Sequence, residues 1–204
     1  MSKNKTEEVI AYELHGNCYL NLTSRCNLSC RFCPKFNGEW SVQGYPLRLY
    51  KEPEADEVIK AMGDLTQYKE VVFCGLGEPT RRLDVLLEVA RYVRERGVRV
   101  RVNTDGLASW FHGRDVSKEL GACVDVLSIS LNAQDEAVYS QHCRPPDAAG
   151  LADVLDFIEK ASCYIDDISI SAIDGLSGVD VQACEAIATR LGVRFKRRVL
   201  DEVG

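Results

Sequence analysis

The sequence of 204 residues has no apolar run near the length needed to cross a bilayer. A spanning helix needs about 20 consecutive, mostly apolar residues, so a membrane is not an expected partner. A secretion signal is also missing, because the first ten residues, MSKNKTEEVI, are polar and acidic rather than basic and then apolar. We therefore expect a cytoplasmic protein.

Basic charge is in short supply as well. The 25 Lys and Arg residues stand against 31 Asp and Glu residues, for a net charge of −6. An acidic chain of this kind is not expected to coat nucleic acid or an anionic membrane. The one basic segment is RFKRR, residues 194–198.

Linkers, repeats and low-complexity tracts are absent from the sequence. Hydrophobic residues make up 46% and charged residues 27%, which is typical of a globular protein with enough apolar surface to fold. The length suits a single domain. We therefore expect one domain over residues 1–204, with residues 1–8 as a flexible tail.

Histidine is rare and cysteine is not: there are three His and nine Cys residues. In a reducing compartment a high cysteine count points to metal binding or catalysis rather than disulfides. Three cysteines are clustered in CNLSCRFC, namely Cys26, Cys30 and Cys33. The other six lie far apart and are expected to be small buried residues: Cys18, Cys74, Cys123, Cys143, Cys163 and Cys184.

The clustered cysteines predict a particular kind of metal site. A structural zinc site needs four protein ligands, and no histidine lies at finger spacing from the three cysteines. Iron–sulfur cubanes are normally held by four thiolates. Three thiolates would leave one iron open for chemistry, as catalytic metal sites require. The alternative is that these thiols only pack.

Hydrophobic periodicity predicts strands that alternate with helices. The predicted strands are 10–14, 19–23, 71–75, 98–104, 124–132, 167–173 and 193–199, and the predicted helices are 53–65, 82–95, 115–120, 135–141, 150–163 and 180–191. Segment 10–14 would pair with 19–23 as a hairpin. The remaining strands alternate with helices, and this alternation implies that they pair in parallel. We expect an α/β fold, a partial (β/α)6 TIM-like barrel with a short N-terminal hairpin strand.

Polar residues alternate with apolar ones along four predicted strands, whereas strands buried on both faces are continuously apolar. This favours a barrel with a polar interior over an open sheet whose polar face meets solvent. Interior positions for Arg99, Arg101, Lys196 and Arg198 would favour a small anionic substrate; the alternative is that they are solvated. The segments CNLSCRFC, GLGEP and NTDG follow strands, where ligands bind in such folds.

Two of these segments carry a family resemblance. CNLSCRFC, with Phe32 before the third cysteine, is similar to the cluster-binding motif of radical S-adenosylmethionine (radical SAM) enzymes. Residues Gly75–Pro79, GLGEP, resemble their glycine-glycine-glutamate-proline motif, although Leu76 replaces one glycine. HGNCYLNLT, HGRD and SISLNA resemble a small subfamily named for its association with TatD-type nucleases.

The resemblance implies the cofactors and their ligands. Cys26, Cys30 and Cys33 would hold three irons of a 4Fe–4S cluster, and the amino and carboxylate groups of SAM would chelate the fourth. The other implied cofactor-binding residues are Phe32, Gly75, Gly77 and Glu78 (the last three at the methionine ammonium), Asn103 and Thr104 at the border of the pocket, Ser130 and Asn132 at the ribose, and Arg144 at the carboxylate. The alternative for the polar ones is ordinary strand-end capping.

The implied function is reductive cleavage of SAM to a 5′-deoxyadenosyl radical that abstracts hydrogen from an unidentified substrate. An electron donor such as flavodoxin or ferredoxin would be the partner. Two alternatives are an activase that places a glycyl radical on a partner protein, and a non-catalytic metal-binding or electron-transfer protein. No catalytic residue is identified. Cys74 and Cys143 are expected to border the site, and His142 to lie on the surface.

Overall fold

A computed structural model describes residues 8–200 of the chain. The strands are β1 Ala11–Leu14, β2 Asn17–Leu20, β3 Ser41–Val42, β4 Tyr45–Pro46, β5 Glu70–Phe73, β6 Arg99–Thr104, β7 Val126–Ser130, β8 Asp167–Asp174 and β9 Arg194–Val199. The helices are α1 Ala55–Met62, α2 Leu83–Arg94, α3 Ala108–His112, α4 Ser117–Gly121, α5 Glu136–Cys143, α6 Leu151–Ala161 and α7 Val181–Leu191. Short 3-10 helices cover Pro34–Asn37, Leu65–Gln67 and Pro79–Arg82.

Seven strands form one sheet in the order β1-β2-β5-β6-β7-β8-β9. β1 pairs with β2 in antiparallel fashion, and every other pair in the sheet is parallel. The predicted α/β fold with six parallel strands and an N-terminal hairpin strand is therefore confirmed. A separate two-stranded hairpin, β3–β4, was not predicted.

One face of the sheet carries the apolar residues and packs against helices. Val100 and Val102 of β6 and Leu127 and Ile129 of β7 are fully buried there. Helical residues on the same core include Val89, Val93 and Ile158, which are equally buried. The alternation of the strands thus places the core between sheet and helices, as period-two patterning requires.

The opposite face of the sheet is polar, and it is covered rather than open to solvent. We call it the interior face; its strand residues include Tyr19, Val72, Arg101, Asn103, Ser128, Ser130, Ser169, Ser171 and Arg198. Ser171 is buried and Ser130 half-buried. In a flat sheet β9 would lie about 19 Å from β5, four strand spacings away. Nevertheless, burial raises the pKa of Cys74, which follows β5, and the charge of Arg198 on β9 opposes that rise. The two side chains are therefore close, as in the curled sheet of a partial barrel.

Several helix ends form as the sequence predicts. The Asp180 side chain accepts a hydrogen bond from Ala183 N at 2.9 Å and caps α7. Gly192 ends the same helix in the left-handed region, at φ 69°. Among the described residues no helix is long and apolar enough to cross a membrane.

Residues 1–7 of the predicted flexible tail lie outside the described residues. Glu8, its last residue, accepts a hydrogen bond from Lys51 N at 3.1 Å.

Candidate functional site

The three clustered cysteines lie in the loop that follows β2. Backbone hydrogen bonds fix this loop against the end of α5: Ser29 N donates to Cys143 O at 3.1 Å, and Arg31 N donates to His142 O at 2.9 Å. Cys33 N donates to Cys30 O at 3.1 Å and closes a turn. The cysteine loop is therefore held on the carboxyl edge of the parallel sheet by a neighbouring helix.

The thiols themselves are half-buried and neutral. Burial raises the pKa of Cys26 and of Cys33, and contact with the Cys143 thiol, followed by burial, raises the pKa of Cys30. A bound metal would be needed to hold all three as thiolates, because metals deprotonate the thiols that coordinate them.

Two of the three clustered thiols, those of Cys26 and Cys30, lie next to different side chains. The Cys26 thiol lies 3.9 Å from Asp105 Oδ2, and the Cys30 thiol contacts Cys143. Within residues 8–200 no three His, Cys, Asp or Glu side chains are arranged to hold a metal ion. All nine cysteines are free, and soft thiolates are the ligands that iron–sulfur clusters take. The three thiols are of the right chemical type for a cluster and lie in one loop. Their sulfur atoms are not already arranged around a common metal position.

The GLGEP loop follows β5 and packs directly on the start of the cysteine loop. A Cβ on Gly77 would lie 2.1 Å from Thr23 O and 2.6 Å from Arg25 O. A Cβ on Gly75 would lie 2.3 Å from the Asn21 side-chain oxygen. Gly77 is therefore required by close backbone approach, and Gly75 by close approach of the Asn21 side chain. Leu76, which departs from the family motif, is buried in a small apolar cluster with Tyr12.

Glu78 is buried and heavily hydrogen-bonded. Its Oε1 accepts from Thr80 N at 3.0 Å, Thr80 Oγ1 at 2.7 Å and Thr104 Oγ1 at 2.9 Å, while Oε2 accepts from Asp105 N at 2.7 Å. Burial raises the pKa of Glu78. The carboxylate oxygen that still has acceptor capacity is Oε2, which carries a single hydrogen bond.

Asp105 is a site residue that the sequence analysis missed. It is buried, and burial followed by the charge of Glu78 raises its pKa well above the usual value. Asn27 Nδ2 donates to Asp105 Oδ1 at 3.4 Å, and Arg81 Nη1 donates to Asn27 Oδ1 at 2.8 Å. This network joins the cysteine loop to the NTDG segment. The position of Asp105 next to Thr104, at a strand end, was the available signal.

The predicted ribose and pocket residues also meet at this edge. Asn103 and Ser128 are partners in the β6–β7 register, and Ser130 and Ser171 in the β7–β8 register. The Asn103 side chain lies near the Cys74 thiol, whose pKa is raised by burial, and the buried Asn103 Oδ1 has no hydrogen-bond partner among the described residues. Asn132 is buried, at φ 57° in the left-handed region, and its Oδ1 accepts from Arg198 Nη2 at 3.1 Å.

Two predicted residues lie at the margin of the site. Phe32 is half-buried and packs on the main core. Arg144 is exposed, at φ 50°, and its carbonyl accepts from Ser29 N at 3.4 Å. Arg144 is thus beside the cysteine loop, with its side chain in solvent.

The expectation that His142 lies on the surface is wrong. Its side chain is buried, and Nε2 lies 2.7 Å from Ser177 O. The reason is that α5 turns its last residues toward the cysteine loop, so that His142 is covered on one side by the segment after β8.

Four cations were considered for the interior face, and the structure separates them. Arg101 pairs with Glu70 at 2.7 Å, and Arg99 pairs with Asp167. Lys196 is exposed. Arg198 is half-buried, and its only hydrogen bond among the described residues goes to Asn132.

Three loops on one edge of a curled parallel sheet, bearing thiols, buried carboxyls and amides, define a cofactor-dependent enzyme of the α/β barrel class. Residues 20–191 match the family model described as "Radical SAM superfamily". The chain belongs to the radical SAM superfamily, whose members bind SAM and an iron–sulfur cluster. The prediction of a radical SAM enzyme is thereby confirmed at the level of the superfamily.

Relatives and solved structures agree with this assignment. The chain is 32% identical over 155 residues to a GTP 3′,8-cyclase from Limosilactobacillus fermentum, covering 73% of this chain and 42% of the relative. It is 35% identical over 88 residues to an Fe-coproporphyrin III synthase from Methanosarcina barkeri, covering 42% and 20%. The structure of SuiB from Streptococcus suis bound to S-adenosylmethionine superposes with a TM-score of 0.68 at 14% identity, covering 91% of this chain and 40% of that one. The chain spans less than half the length of the curated relatives it matches.

Proposed function

We propose that this chain is a radical SAM core domain that holds a 4Fe–4S cluster through Cys26, Cys30 and Cys33 and binds SAM beside it. The observation that carries the proposal is the close contact between the two motif loops. Glu78 N donates to Arg25 O at 2.8 Å. The backbone of the cysteine loop occupies the space that a side chain at Gly77 would need. One rigid junction therefore sets the position of the Glu78 carboxylate relative to the three thiols.

The chain's own residues supply a binding site of suitable chemistry for SAM. Glu78 Oε2 can accept the methionine ammonium in a charge-assisted hydrogen bond. Ser130 and Asn132 offer hydroxyl and amide groups to the ribose, and Asn103 and Thr104 border them. Arg144 can turn from solvent toward the carboxylate, which its planar guanidinium would bind through two hydrogen bonds.

When bound, the reduced cluster supplies one electron to SAM, and SAM cleavage provides the 5′-deoxyadenosyl radical that abstracts hydrogen from a small anionic substrate. The protein orients SAM and keeps competing hydrogen donors away from the radical. Within the superfamily we assign the chain to the subfamily named for TatD-type nucleases, on the segments HGNCYLNLT, HGRD and SISLNA.

The test is anaerobic reconstitution with iron and sulfide, followed by dithionite and SAM. Methionine and 5′-deoxyadenosine are the expected products. Cys30→Ala should lose both the cluster absorbance and the products, whereas the matched variant Cys163→Ala, at an exposed cysteine, should keep both. A cluster-loaded wild-type protein that forms neither product would contradict the proposal, and zinc in place of iron after anaerobic purification would favour a structural metal protein.

The electron donor we propose is an acidic one-electron carrier such as flavodoxin or ferredoxin. A cavity of about 440 Å³ beside Cys26 is lined by Arg25, Lys35 and Arg81 together with Phe36 and Trp40. This basic surface contrasts with the net charge of −6 of the whole chain, and complementary charge accelerates association.

Reduction of the wild type by flavodoxin should therefore slow with added salt. Lys35→Glu should slow this reduction at low salt and make it less dependent on salt, while reduction by dithionite should be unchanged. Equal flavodoxin rates for the variant and the wild type would exclude this docking surface.

A further inference from the structure

On the interior face, Arg198 is a cation without an acidic partner among the described residues. Every other arginine of β9 has one: Arg194 pairs with Asp167, and Arg197 pairs with Asp174. Among residues 8–200, Arg198 forms no ion pair, and its hydrogen bond to Asn132 Oδ1 goes to a neutral amide. Its Nε atom is buried and has no hydrogen-bond partner there.

The position of Arg198 is costly in the absence of an anion. Burial lowers the pKa of its guanidinium, and buried charges are normally paired because desolvating an unpaired one is unfavourable. Arg101 on the same face also has a buried Nε without a hydrogen-bond partner, but its guanidinium pairs with Glu70. Arg198 has no such acidic partner among residues 8–200.

Polar side chains and thiols surround Arg198. The register pairs it with Ile173 of β8, and Ser171, two residues before Ile173, lies on the same face. The thiols of Cys74, Cys30 and Cys143 are close enough to affect its pKa, so it lies between the cysteine loop and the middle of the interior face. Asn103, on the same face, has a buried Oδ1 without a partner among the described residues.

We infer that Arg198, oriented by Asn132, binds a carboxylate or phosphate group of the substrate inside the partial barrel. This rests on the proposed function for the identity of the ligand as a substrate, but the anion site itself does not need the cluster. A planar guanidinium suits both oxyanions, which it can bind through two parallel hydrogen bonds.

The experiment is calorimetric titration of the full-length protein, as purified and after reconstitution with iron and sulfide. Inorganic phosphate and succinate serve as separate probes of the two chemistries. Wild-type protein should bind one of them, and Arg198→Gln should bind it at least tenfold more weakly. Arg198→Lys should be intermediate, because it keeps the charge but not the planar donor pair. Arg197→Gln is the matched control, since this neighbouring arginine is exposed and pairs with Asp174, and it should bind as the wild type does.

Three outcomes would overturn the inference. The first is equal binding by Arg198→Gln and the wild type, and the second is no binding of either anion by the wild type. The third is complete loss of anion binding when SAM is saturating, which would assign Arg198 to the SAM carboxylate rather than to substrate.

Protein stability gives a second readout, which distinguishes a role in anion binding from a structural role. Because Arg198 has no acidic partner within residues 8–200, Arg198→Gln should melt no lower than the wild type, and a marked fall in melting temperature would argue for a packing role. Failure of SAM cleavage by the wild type would remove the proposed function and leave the anion titration fully interpretable.

Discussion

The Glu52 carboxylate links the start of the cysteine loop to Arg82, which lies just before α2. It accepts hydrogen bonds from Arg25, with Nε at 2.7 Å, from Thr23 Oγ1 and from Arg82 Nη1 at 3.4 Å. The Arg25 hydrogen bond is the largest of the effects that lower the pKa of Glu52 from 4.5 to about 2. The folded state therefore favours the ionised carboxylate more than the unfolded chain does.

This shift predicts how stability depends on pH. A carboxylate with a lowered folded pKa contributes stability above its unfolded pKa, and that contribution is lost as pH falls from about 5 through the folded value near 2. Glu52→Gln should lower the free energy of unfolding by about 1 kcal/mol at pH 7, given the exposure of Arg25. The difference from wild type should disappear near pH 2. Urea titrations across this range measure it, with exposed Glu88→Gln as a control expected to show no such change.

Gly75 and Gly77 are predicted to differ in their tolerance of a side chain. A Cβ at Gly77 meets backbone carbonyls of Thr23 and Arg25, whereas one at Gly75 meets the side chain of Asn21. Backbone cannot move aside as a side-chain end can, although Asn21 is held by hydrogen bonds to Val9 O and Leu47 O.

We expect Gly77→Ala to destabilise by about 3 kcal/mol or more and Gly75→Ala by about 1–3 kcal/mol, the costs of overpacking. Thermal unfolding of both variants gives the comparison. A Gly77→Ala protein as stable as the wild type would show that the two loops are not in close contact.

Site residues could be predicted from the sequence where they belong to a motif. They could not be predicted where the path of the backbone decides whether a side chain points into the site. Thr104 was expected near the site, and it donates to Glu78. His142 was expected on the surface and Asp105 was not singled out, because polar residues after a strand or at a helix end are usually solvated. Which of them turns inward depends on the path of the next loop, which residue types do not encode.

At the scale of elements, the end of α5 holds the cysteine loop. Cys143 and His142 offer their carbonyls to Ser29 and Arg31, and His142 is held in turn by Ser177. Loss of a buried hydrogen bond and the packing around it typically costs about 1–3 kcal/mol. His142→Ala should therefore lower the free energy of unfolding by about that amount and reduce the iron retained after reconstitution.

Gln141→Ala is the matched control for this helix end, because Gln141 is exposed. It should stay within about 0.5 kcal/mol of the wild type, as surface substitutions usually do. Chemical denaturation with iron analysis distinguishes the two variants. Unchanged iron content in a destabilised His142→Ala protein would separate fold stability from support of the loop.

Long elements were predicted well, whereas only some of the short ones were, such as the five-residue helix α4. Helix α2 was predicted over 82–95 and covers Leu83–Arg94, because seven of its residues are buried at helical spacing. The two-residue strands β3 and β4 and the five-residue helix α3 were missed. Segments of that length are too short to show a period, so tertiary contacts decide them.

At the scale of the molecule, the alternation of polar and apolar strand residues favoured a partial barrel over an open sheet, and the fold confirms it. Alternation identified the polar face of each strand, but it does not show which side chains of distant strands the curl brings together. The curl brings Arg198 of β9 close to Cys74 after β5. The folded structure also distinguishes the four candidate cations. Arg99 and Arg101 have acidic partners, whereas Arg198 has none among the described residues.

Cofactor binding should stabilise the whole chain, because a ligand that binds only the folded state adds its binding free energy to the free energy of unfolding. At 100 times its dissociation constant SAM would contribute about 2.7 kcal/mol. For a chain of this length that corresponds to a rise of about 5–10 °C in melting temperature. Anaerobic scanning fluorimetry of reconstituted wild-type protein measures this shift. Cys30→Ala should show almost none of it, because SAM is expected to chelate the iron that the three cysteines leave open. An equal shift in Cys30→Ala would mean that SAM binds without the cluster, and the open iron would then have no part in SAM affinity.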